Sequence, residues 1–196
     1  VADASTVTYS GLSLTGAQSG NYTLTIQSPA SATITAKALS VSGTVTADNK
    51  VYDGNTNAVV NGSGASLSGI IGSEAVSFST GGTFSNKNVG TSKAVAVTLA
   101  GADAGNYSLS YSTTADITPR TLLLGSGSVT AANKTYDGAT SAAVTAQSPS
   151  FSNIVSGDTV EVGTTGTFSD KNAGTGKTVA VTLTGGDASN YQYSTT

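Results

Sequence analysis

Hydrophobic and polar residues alternate along much of this chain, most clearly from Lys93 to Leu99. Val95, Val97 and Leu99 fall on one face of that segment, with small or polar residues between them. A period of two residues is the pattern of a half-buried β-strand. The same alternation recurs from Leu39 to Ala47, and no segment sustains a helical period. The pattern therefore predicts an all-β protein.

Turn signals such as Asp-Gly and Gly-Gly divide the chain into short segments, which gives about seven strands in 80 residues. We expect turns at Gly81–Gly82 and an irregular region over Asn61–Gly69. This spacing favours a small immunoglobulin-like β-sandwich. The alternative is a β-grasp-like unit, which needs a helix, and only Ser66–Ile71 offers a turn of one.

An 18-residue segment occurs twice, as Gly82–Leu99 and as Gly166–Leu183, at an offset of 84 residues. Self-similarity at a fixed period is the mark of a tandem array. We divide the chain into the C-terminal part of a preceding repeat (1–36), a complete repeat (37–119) and a second repeat that lacks its last strand (120–196). The missing strand predicts an open sheet edge in the last repeat, able to pair with another chain.

Composition excludes several kinds of chemistry. The 196 residues include no Cys and no His, so there is no disulfide framework and no imidazole base or metal ligand. The net charge of −3 offers no cationic face for nucleic acid, and no apolar run is long enough for membrane insertion. No phosphate-binding loop or activated nucleophile occurs. We expect a protein that is not an enzyme, without metal or other cofactor.

Three motifs recur in order: Lys-x-Tyr-Asp-Gly, Gly-x-Phe-Ser-(Asn/Asp)-Lys-Asn-x-Gly-Thr and Gly-x-Asp-Ala-x-Asn-Tyr. With them the chain resembles the YDG-type tandem repeats of giant bacterial surface and secreted adhesins, such as filamentous-haemagglutinin-like proteins. The resemblance implies a non-catalytic extracellular stalk or spacer module on a bacterial cell surface or in a biofilm. Its partners would be neighbouring repeats, with host or biofilm glycan or matrix bound through other regions of the full-length protein.

The alternative function is an adhesive module that itself binds glycan or matrix, or self-associates. The candidate ligand-binding residues are Tyr52, Asp53, Tyr136 and Asp137. A domain poor in large side chains favours placing its aromatic residues inside instead. That expectation covers Tyr52, Phe84, Tyr107, Tyr136, Phe168 and Tyr191.

Isolated acidic residues in Gly- and Ala-rich turns could bind Ca²⁺, but turn capping explains them better. The residues concerned are Asp53, Glu74, Asp103, Asp137, Asp158 and Asp187.

Two Lys-Asn pairs raise the possibility of an isopeptide cross-link promoted by a nearby carboxylate. These are Lys87 with Asn88 and Lys171 with Asn172. The reaction needs a neutral, desolvated lysine, whereas a Gly-rich turn favours a solvated ammonium.

A second expectation concerns the junction of the repeats, residues 117–122, which is short and contains no glycine. It predicts a semi-rigid rod.

Overall fold

A computed structural model describes residues 6–195 of the chain, and the all-β prediction is confirmed for them. Their helices are three short 3-10 turns, Ser19–Asn21, Ala104–Asn106 and Ala188–Asn190. Within residues 6–195, no helix has the length and apolar character needed to cross a membrane. The sheets are strongly curled, and the immunoglobulin-like arrangement of two facing sheets stays a prediction.

The first complete repeat follows a small antiparallel pair, β1 (Thr6–Val7) with β2 (Ala30–Ser31). Its strands are β3 (Lys37–Ala38), β4 (Ser40–Ala47), β5 (Lys50–Val51), β6 (Asn57–Ser68), β7 (Ser77–Phe84), β8 (Gly90–Ala100), β9 (Tyr107–Ser108) and β10 (Ser112–Thr118). Six of them form a sheet in the order β4-β6-β7-β8-β10-β5. The sheet curls because β6 pairs with β7 through its first residues and with β4 through the rest.

The second repeat rebuilds the same plan. Its strands are β11 (Arg120–Thr121), β12 (Leu124–Ala131), β13 (Ser141–Phe151), β14 (Glu161–Phe168), β15 (Val179–Thr184), β16 (Tyr191–Gln192) and β17 (Ser194–Thr195). The sheet order is β12-β13-β14-β15-β17. Strand β17 pairs with β15 as β10 pairs with β8, so the closing strand has begun by Ser194.

Valine and alanine side chains from three strands form an equivalent core in each repeat. In the first repeat these are Val45, Ala58, Val60, Val95 and Val97, and in the second Val129, Ala142, Val144, Val179 and Val181. The first core also contains Tyr52, Phe84 and Ile117, and it continues without a break to Leu122 and Tyr191 of the second repeat. The apolar interior therefore crosses the boundary between the repeats.

Two local expectations were wrong. Residues 61–68 are strand rather than irregular, and this strand includes the start of Ser66–Ile71, the segment that offered a helical turn to the alternative β-grasp-like unit. The glycine content has a packing reason, because a Cβ at Gly62 would lie 2.6 Å from the Phe78 ring. Strand β7 also runs through Gly81–Gly82 without turning, and a Cβ at Gly82 would lie 2.7 Å from the Ala96 carbonyl oxygen.

Residues 6–36 carry a local backbone feature that both later repeats share. Gly16, Gly101 and Gly185 have φ of 113°, 115° and 108°, and each precedes one of the three 3-10 turns. The side chains of this segment are nearly all exposed, including Tyr22. The segment thus has the turn geometry of a repeat without a packed core among its described residues.

Candidate functional site

The three repeated motifs meet where the first repeat contacts the second, and we call this region the joint. It is formed by Tyr52, Lys87, Asn88 and Val89 of the first repeat with Val155, Asp158, Asn190 and Tyr191 of the second.

The connecting backbone is held on both sides of Pro119. Thr118 pairs in parallel with Val51 of the first repeat, and Arg120 pairs in parallel with Tyr191 of the second. The Tyr52 amide also donates to the Thr118 carbonyl oxygen at 2.9 Å. Because strand pairing ends at residue 118 and resumes at residue 120, the connection contains no slack.

The Lys-x-Tyr-Asp-Gly motif forms a fastened turn. Lys50 Nζ donates to Asp53 Oδ1 at 2.7 Å and to the Asn55 carbonyl oxygen at 2.9 Å, and Asp53 Oδ1 also accepts from the Asn55 amide. Burial opposes ionisation of Asp53, but the bonds from Lys50 and Asn55 prevail and lower the pKa of its carboxyl group. Gly54 supplies the positive φ of 81° that the turn requires.

This turn directs Tyr52 out of its own repeat and into the next one. Tyr52 has no exposed surface, and its hydroxyl donates to Asp158 Oδ2 at 2.8 Å. Tyr191 Oη donates to the same oxygen at 2.7 Å, and Lys87 Nζ lies 3.4 Å from Asp158 Oδ1. The buried Asp158 carboxylate of the second repeat thus contacts two groups of the first repeat, the Tyr52 hydroxyl and the Lys87 ammonium.

The Asp158 side chain is only 4% exposed, so its charge has to be compensated by its neighbours. Burial works against ionisation, while the hydrogen bonds from Tyr191 and Tyr52 and the nearby Lys87 ammonium favour it and lower the pKa of Asp158. Burial and the Asp158 carboxylate together raise the pKa of Tyr191 to about 12. The carboxylate is therefore the acceptor and the phenols stay protonated donors.

Asn190 provides a second polar contact across the joint. It is 2% exposed, its Oδ1 accepts from the Val89 amide at 2.9 Å, and its Nδ2 donates to Asn88 Oδ1 at 3.3 Å. A buried amide side chain is stabilising only when its groups are paired, and here the partners come from the other repeat. Asn190 therefore forms hydrogen bonds with both the backbone and a side chain of the Lys-Asn turn.

Apolar contact completes the joint. The rings of Tyr52 and Tyr191 lie edge to face, with centroids 5.4 Å apart and an interplanar angle of 74°. Gly54 faces Val155, and a Cβ at Gly54 would be 2.5 Å from Val155 Cγ1. The glycine of the motif therefore serves both the turn and the close approach of the second repeat.

The third motif positions the loop that carries Asp158. Asp187 Oδ2 accepts from the Thr159 amide at 3.0 Å, and the Asp187 amide donates back to the Thr159 carbonyl oxygen. Asp103 makes the same pair of bonds with Ala75 in the first repeat. These aspartates, like Asp53 and Asp137, bond to backbone amides of turns. Within residues 6–195, no group of three or more His, Cys, Asp or Glu side chains is placed to hold a metal ion.

The end of the second repeat that lies away from the joint carries counterparts of the residues that the first repeat contributes to the joint. In this structure these counterparts are not covered by another repeat. Tyr136, the counterpart of Tyr52, is 61% exposed, and a Cβ at Gly138 would meet nothing within 4 Å. Lys134 and Asp137 still form their 2.8 Å ion pair. A groove of about 620 Å³ lies here, bordered by Lys134, Tyr136, Phe168, Lys171, Asn172 and Lys177.

The end of the first repeat that lies away from the joint carries counterparts of the residues that the second repeat contributes to the joint. Tyr107 Oη donates to the Glu74 carboxylate and accepts from the Ile71 amide at 2.9 Å, as Tyr191 does with Asp158 and Val155. Ile71 is 57% exposed. Each repeat therefore has an acidic end, with a carboxylate beside a tyrosine, and a YDG end, with the tyrosine of the first motif.

The expectation that the aromatic residues lie inside holds for Tyr52, Phe84, Tyr107 and Tyr191, whereas Phe168 is half-buried. It is wrong for Tyr136, which is 61% exposed. Tyr52 lies in the core of the first repeat and also contacts Tyr191 and Asp158 of the second. The pairing of Asp158 and Asn190 with the first repeat was missed, although the place of Asn190 in the third motif was a signal.

The Lys-Asn pairs lie in turns, as expected, and the first takes part in the joint. The nearby Tyr52 phenol and the Asp158 carboxylate raise the pKa of Lys87, so its amine is held in the charged form. The carboxylate beside it is Asp158 of the next repeat and not Asp53, which bonds to Lys50. Lys171 and Asn172 are exposed at the groove.

Comparison with known proteins agrees with the repeat organisation. The YDG domain family matches the chain twice, over residues 35–115 and over residues 118–196. No curated protein and no solved structure was found that matches it. The two matches cover most of the 196 residues and include all three repeated motifs. The chain therefore belongs to the YDG domain family and contains two consecutive YDG domains.

Proposed function

We propose that this chain is a section of a stiff, non-catalytic spacer in a large bacterial surface or secreted adhesin, where tandem YDG domains hold an adhesive region away from the cell. The observation that carries the proposal is the joint, in which Tyr52 of one domain is fully buried against Asp158 of the next. Rigid contacts between neighbours allow an array to grow by adding repeats, without redesign of a core.

Three features of the joint support stiffness. Its backbone is strand-paired on both sides of Pro119. Its interior continues the core of the first repeat as far as Leu122 and Tyr191. Its buried polar groups, Asp158 and Asn190, receive partners from the first repeat. Flexing the domains would expose these groups and break their pairing, which carries a cost for each buried polar group.

The spacer proposal is tested by measuring the distance between the two domains. Spin labels attached at Ala96→Cys and Ala180→Cys sit on exposed, equivalent positions of β8 and β15, and the chain has no other cysteine. We expect a single narrow distance distribution by pulsed electron resonance. The same labels in a Tyr52→Ala, Asp158→Ala background should give a broad one. A broad distribution in the otherwise unchanged chain would contradict a stiff spacer.

The second candidate function is direct binding of glycan or matrix through the tyrosines. Exposed Tyr136 beside Asn172 and Lys171 favours it, since an aromatic face with polar neighbours can hold a sugar ring. The burial of Tyr52 counts against it, because the equivalent face is closed wherever another repeat follows. A glycan array with the two-domain chain and with Tyr136→Ala separates the candidates, and the spacer proposal expects no binding by either protein.

We also propose that nucleic acid is not a partner. The groove at the YDG end of the second repeat is bordered by three lysines and one tyrosine, but Lys134 is paired with Asp137 and Lys177 with Asp170. With a net charge of −3, the surface lacks the excess of cations that phosphate binding needs. Fluorescence anisotropy with labelled duplex and single-stranded DNA at low salt should give no binding.

A further inference from the structure

We propose that the repeats bear tension along the array, because the chain enters and leaves them through parallel strand pairs that a lengthwise pull loads in shear. This goes beyond the spacer proposal. A spacer has to resist bending, whereas an element under tension has to resist stretching. An array that is stiff in bending can still unravel when it is pulled, so the two properties are separate and are measured separately.

Parallel pairing is confined to the boundaries of the repeats. Among residues 6–195, the parallel pairs are β3 with β9, β5 with β10 and β11 with β16. All other pairs among these residues are antiparallel. Strands β3 and β11 are the first of their repeats, and β10 is the last of the first repeat. Each parallel pair therefore joins a strand at which the chain enters or leaves a repeat to a strand from the other end of that repeat.

The strands that carry the load run in one direction. In the sheet order β4-β6-β7-β8-β10, each neighbouring pair is antiparallel. An even number of reversals leaves β4 and β10 pointing the same way. Strand β3 leads into β4 at the entry of the repeat, and β10 ends at its exit. A lengthwise pull therefore draws β3 and β4 backwards while it draws β10 forwards.

Hydrogen bonds between strands respond differently to sliding and to peeling. When strands slide along each other, all the bonds between them stretch together and have to break together. When one strand is peeled from its end, the bonds break one after another and each bears the load alone. Forced unfolding is governed by the rate of crossing the unfolding barrier and not by equilibrium stability. A parallel pair at the entry and another at the exit therefore resist a pull more strongly than an antiparallel hairpin opened from its end.

The exit pair of the first repeat, β5 with β10, is reinforced by side chains. The Asp116 amide donates to Asn49 Oδ1 at 2.7 Å, and Thr118 Oγ1 donates to the Lys50 carbonyl oxygen at 3.3 Å. Between them Ile117 is only 1% exposed and belongs to the core. Sliding β10 along β5 would break main-chain and side-chain bonds together and would move a core residue.

The entry pairs are built alike in the two repeats. The Leu39 amide donates to the Ser108 carbonyl oxygen at 2.9 Å, and the Leu122 amide donates to the Gln192 carbonyl oxygen at 2.8 Å. Both leucine side chains are buried. In the second repeat Gln192 Nε2 also donates to Thr121 Oγ1 at 2.9 Å. Each entry strand is thus followed directly by a leucine anchored in the protein interior.

The exit pair of the first repeat and the entry pair of the second are connected through Pro119 alone. Strand pairing ends at Thr118 and resumes at Arg120. A pull therefore passes from one parallel pair to the next without first extending a loose segment of chain.

The direction of pulling tests the proposal in one protein. Because the chain has no cysteine, DNA handles for an optical trap can be attached at chosen exposed positions. Handles at Ala36→Cys and Leu123→Cys pull the first repeat from entry to exit. Handles at Ala36→Cys and Ser73→Cys peel β4 from β6, beginning at the paired residues Ser40 and Ser68. At the same loading rate, we expect a several-fold higher rupture force for the first pair of handles, and an equal or lower force would overturn the proposal.

Two variants separate the parallel pair from general stability. Asn49→Ala with Thr118→Val removes the side-chain bonds of the exit pair, whereas Gly82→Ala disturbs packing in β7 and leaves those bonds in place. Their equilibrium stabilities are measured by denaturant unfolding. For a comparable loss of stability, the rupture force from entry to exit should fall clearly more in the first variant. Equal losses of force would contradict a role of the exit pair.

The same measurements distinguish this proposal from the spacer proposal. A narrow distribution of spin-label distances together with equal rupture forces in the two pulling directions would leave a stiff spacer that bears no special load. A broad distribution together with a high force from entry to exit would leave a tension-bearing array that bends freely, and the tension proposal would survive the loss of the other.

Discussion

Tyr52 and Tyr191 belong to different repeats, meet edge to face with ring centroids 5.4 Å apart, and donate their hydroxyls to the same carboxylate oxygen of Asp158. Tyr52, the tyrosine of the Lys-x-Tyr-Asp-Gly motif, therefore makes a contact between the two domains. Its turn, built from Lys50, Asp53 and Gly54, is fastened by contacts within the first repeat alone. Such preorganisation lowers the entropy lost when the domains dock.

The first prediction compares two equivalent tyrosines. Tyr52→Phe keeps the buried ring and removes the donor to Asp158, so it should lower the stability of the two-repeat chain by about 1.5–3 kcal/mol, as for a hydrogen bond to a charged group. Tyr136→Phe is the matched control, exposed at the groove, and should change it by less than about 0.5 kcal/mol. Denaturant unfolding followed by tyrosine fluorescence measures both. Equal effects would contradict the role of the joint.

The second prediction concerns acid. The joint lowers the pKa of Asp158, so its contribution to stability is fully present above the pKa of the unfolded chain, about 3.9, and is lost as pH falls through the lower folded value. Asp158→Asn removes this contribution at every pH. The stability difference between the unaltered chain and the variant should therefore shrink below about pH 4, as measured by denaturant titrations at a series of pH values. A difference independent of pH would show that Asp158 is not ionised at the joint.

The third prediction concerns alkali. The pKa of Tyr191 is raised to about 12, by burial first and then by the Asp158 carboxylate. A raised pKa stabilises the fold below the unfolded value near 10, and this stability is lost as pH rises through the folded value. Absorbance titration of the phenolates should show a late step, and Tyr191→Phe should reduce its amplitude while the earlier steps remain, since the pKa of Tyr52 is also raised, by burial and by Asp158. A titration complete by pH 11 would contradict burial of this phenol.

The fourth prediction concerns the Lys-Asn pairs. Lys87 is kept protonated by Tyr52 and Asp158, and the Asn88 amide oxygen accepts from Asn190, so neither group is prepared for amide exchange. The intact mass should equal the mass calculated from the sequence, without loss of ammonia. Lys87→Arg serves as a control that retains the charge and cannot form the cross-link. Loss of one ammonia for each repeat in the unaltered chain, and of one ammonia fewer in the control, would establish the cross-link at Lys87.

The strand pattern could be predicted from the sequence because alternation is a local property. The segment Lys93–Leu99 lies within β8, and Leu39–Ala47 largely coincides with β4. The glycine-rich parts of β6 and β7 could not be predicted this way. Gly62 and Gly82 leave room for the Phe78 ring and the Ala96 carbonyl group, and neither neighbour is visible in the local pattern.

The joint was only partly predictable for a related reason. The short segment around Pro119 indicated a stiff connection, but Tyr52 and Asp158 are separated by 106 residues. A repeated motif conveys that its residues matter in each copy, and it does not convey whether they contact their own copy or the next. The contrast between buried Tyr52 and exposed Tyr136 supplies that information, and only the folded chain contains it.

The last prediction tests the packing role of glycine in β7. Gly82→Ala would place a Cβ 2.7 Å from the Ala96 carbonyl oxygen and 2.7 Å from Val60 Cγ2, in the core of the first repeat. Because backbone on a central strand cannot yield easily, the substitution should cost about 1–3 kcal/mol. Gly105→Ala is the matched control, since nothing lies within 4 Å of its Cβ and its φ is not positive. It should be neutral or add about 0.4–1 kcal/mol, through the lower entropy of the unfolded chain. Thermal unfolding of both variants distinguishes packing from a general effect of replacing glycine, and equal losses would contradict the packing argument.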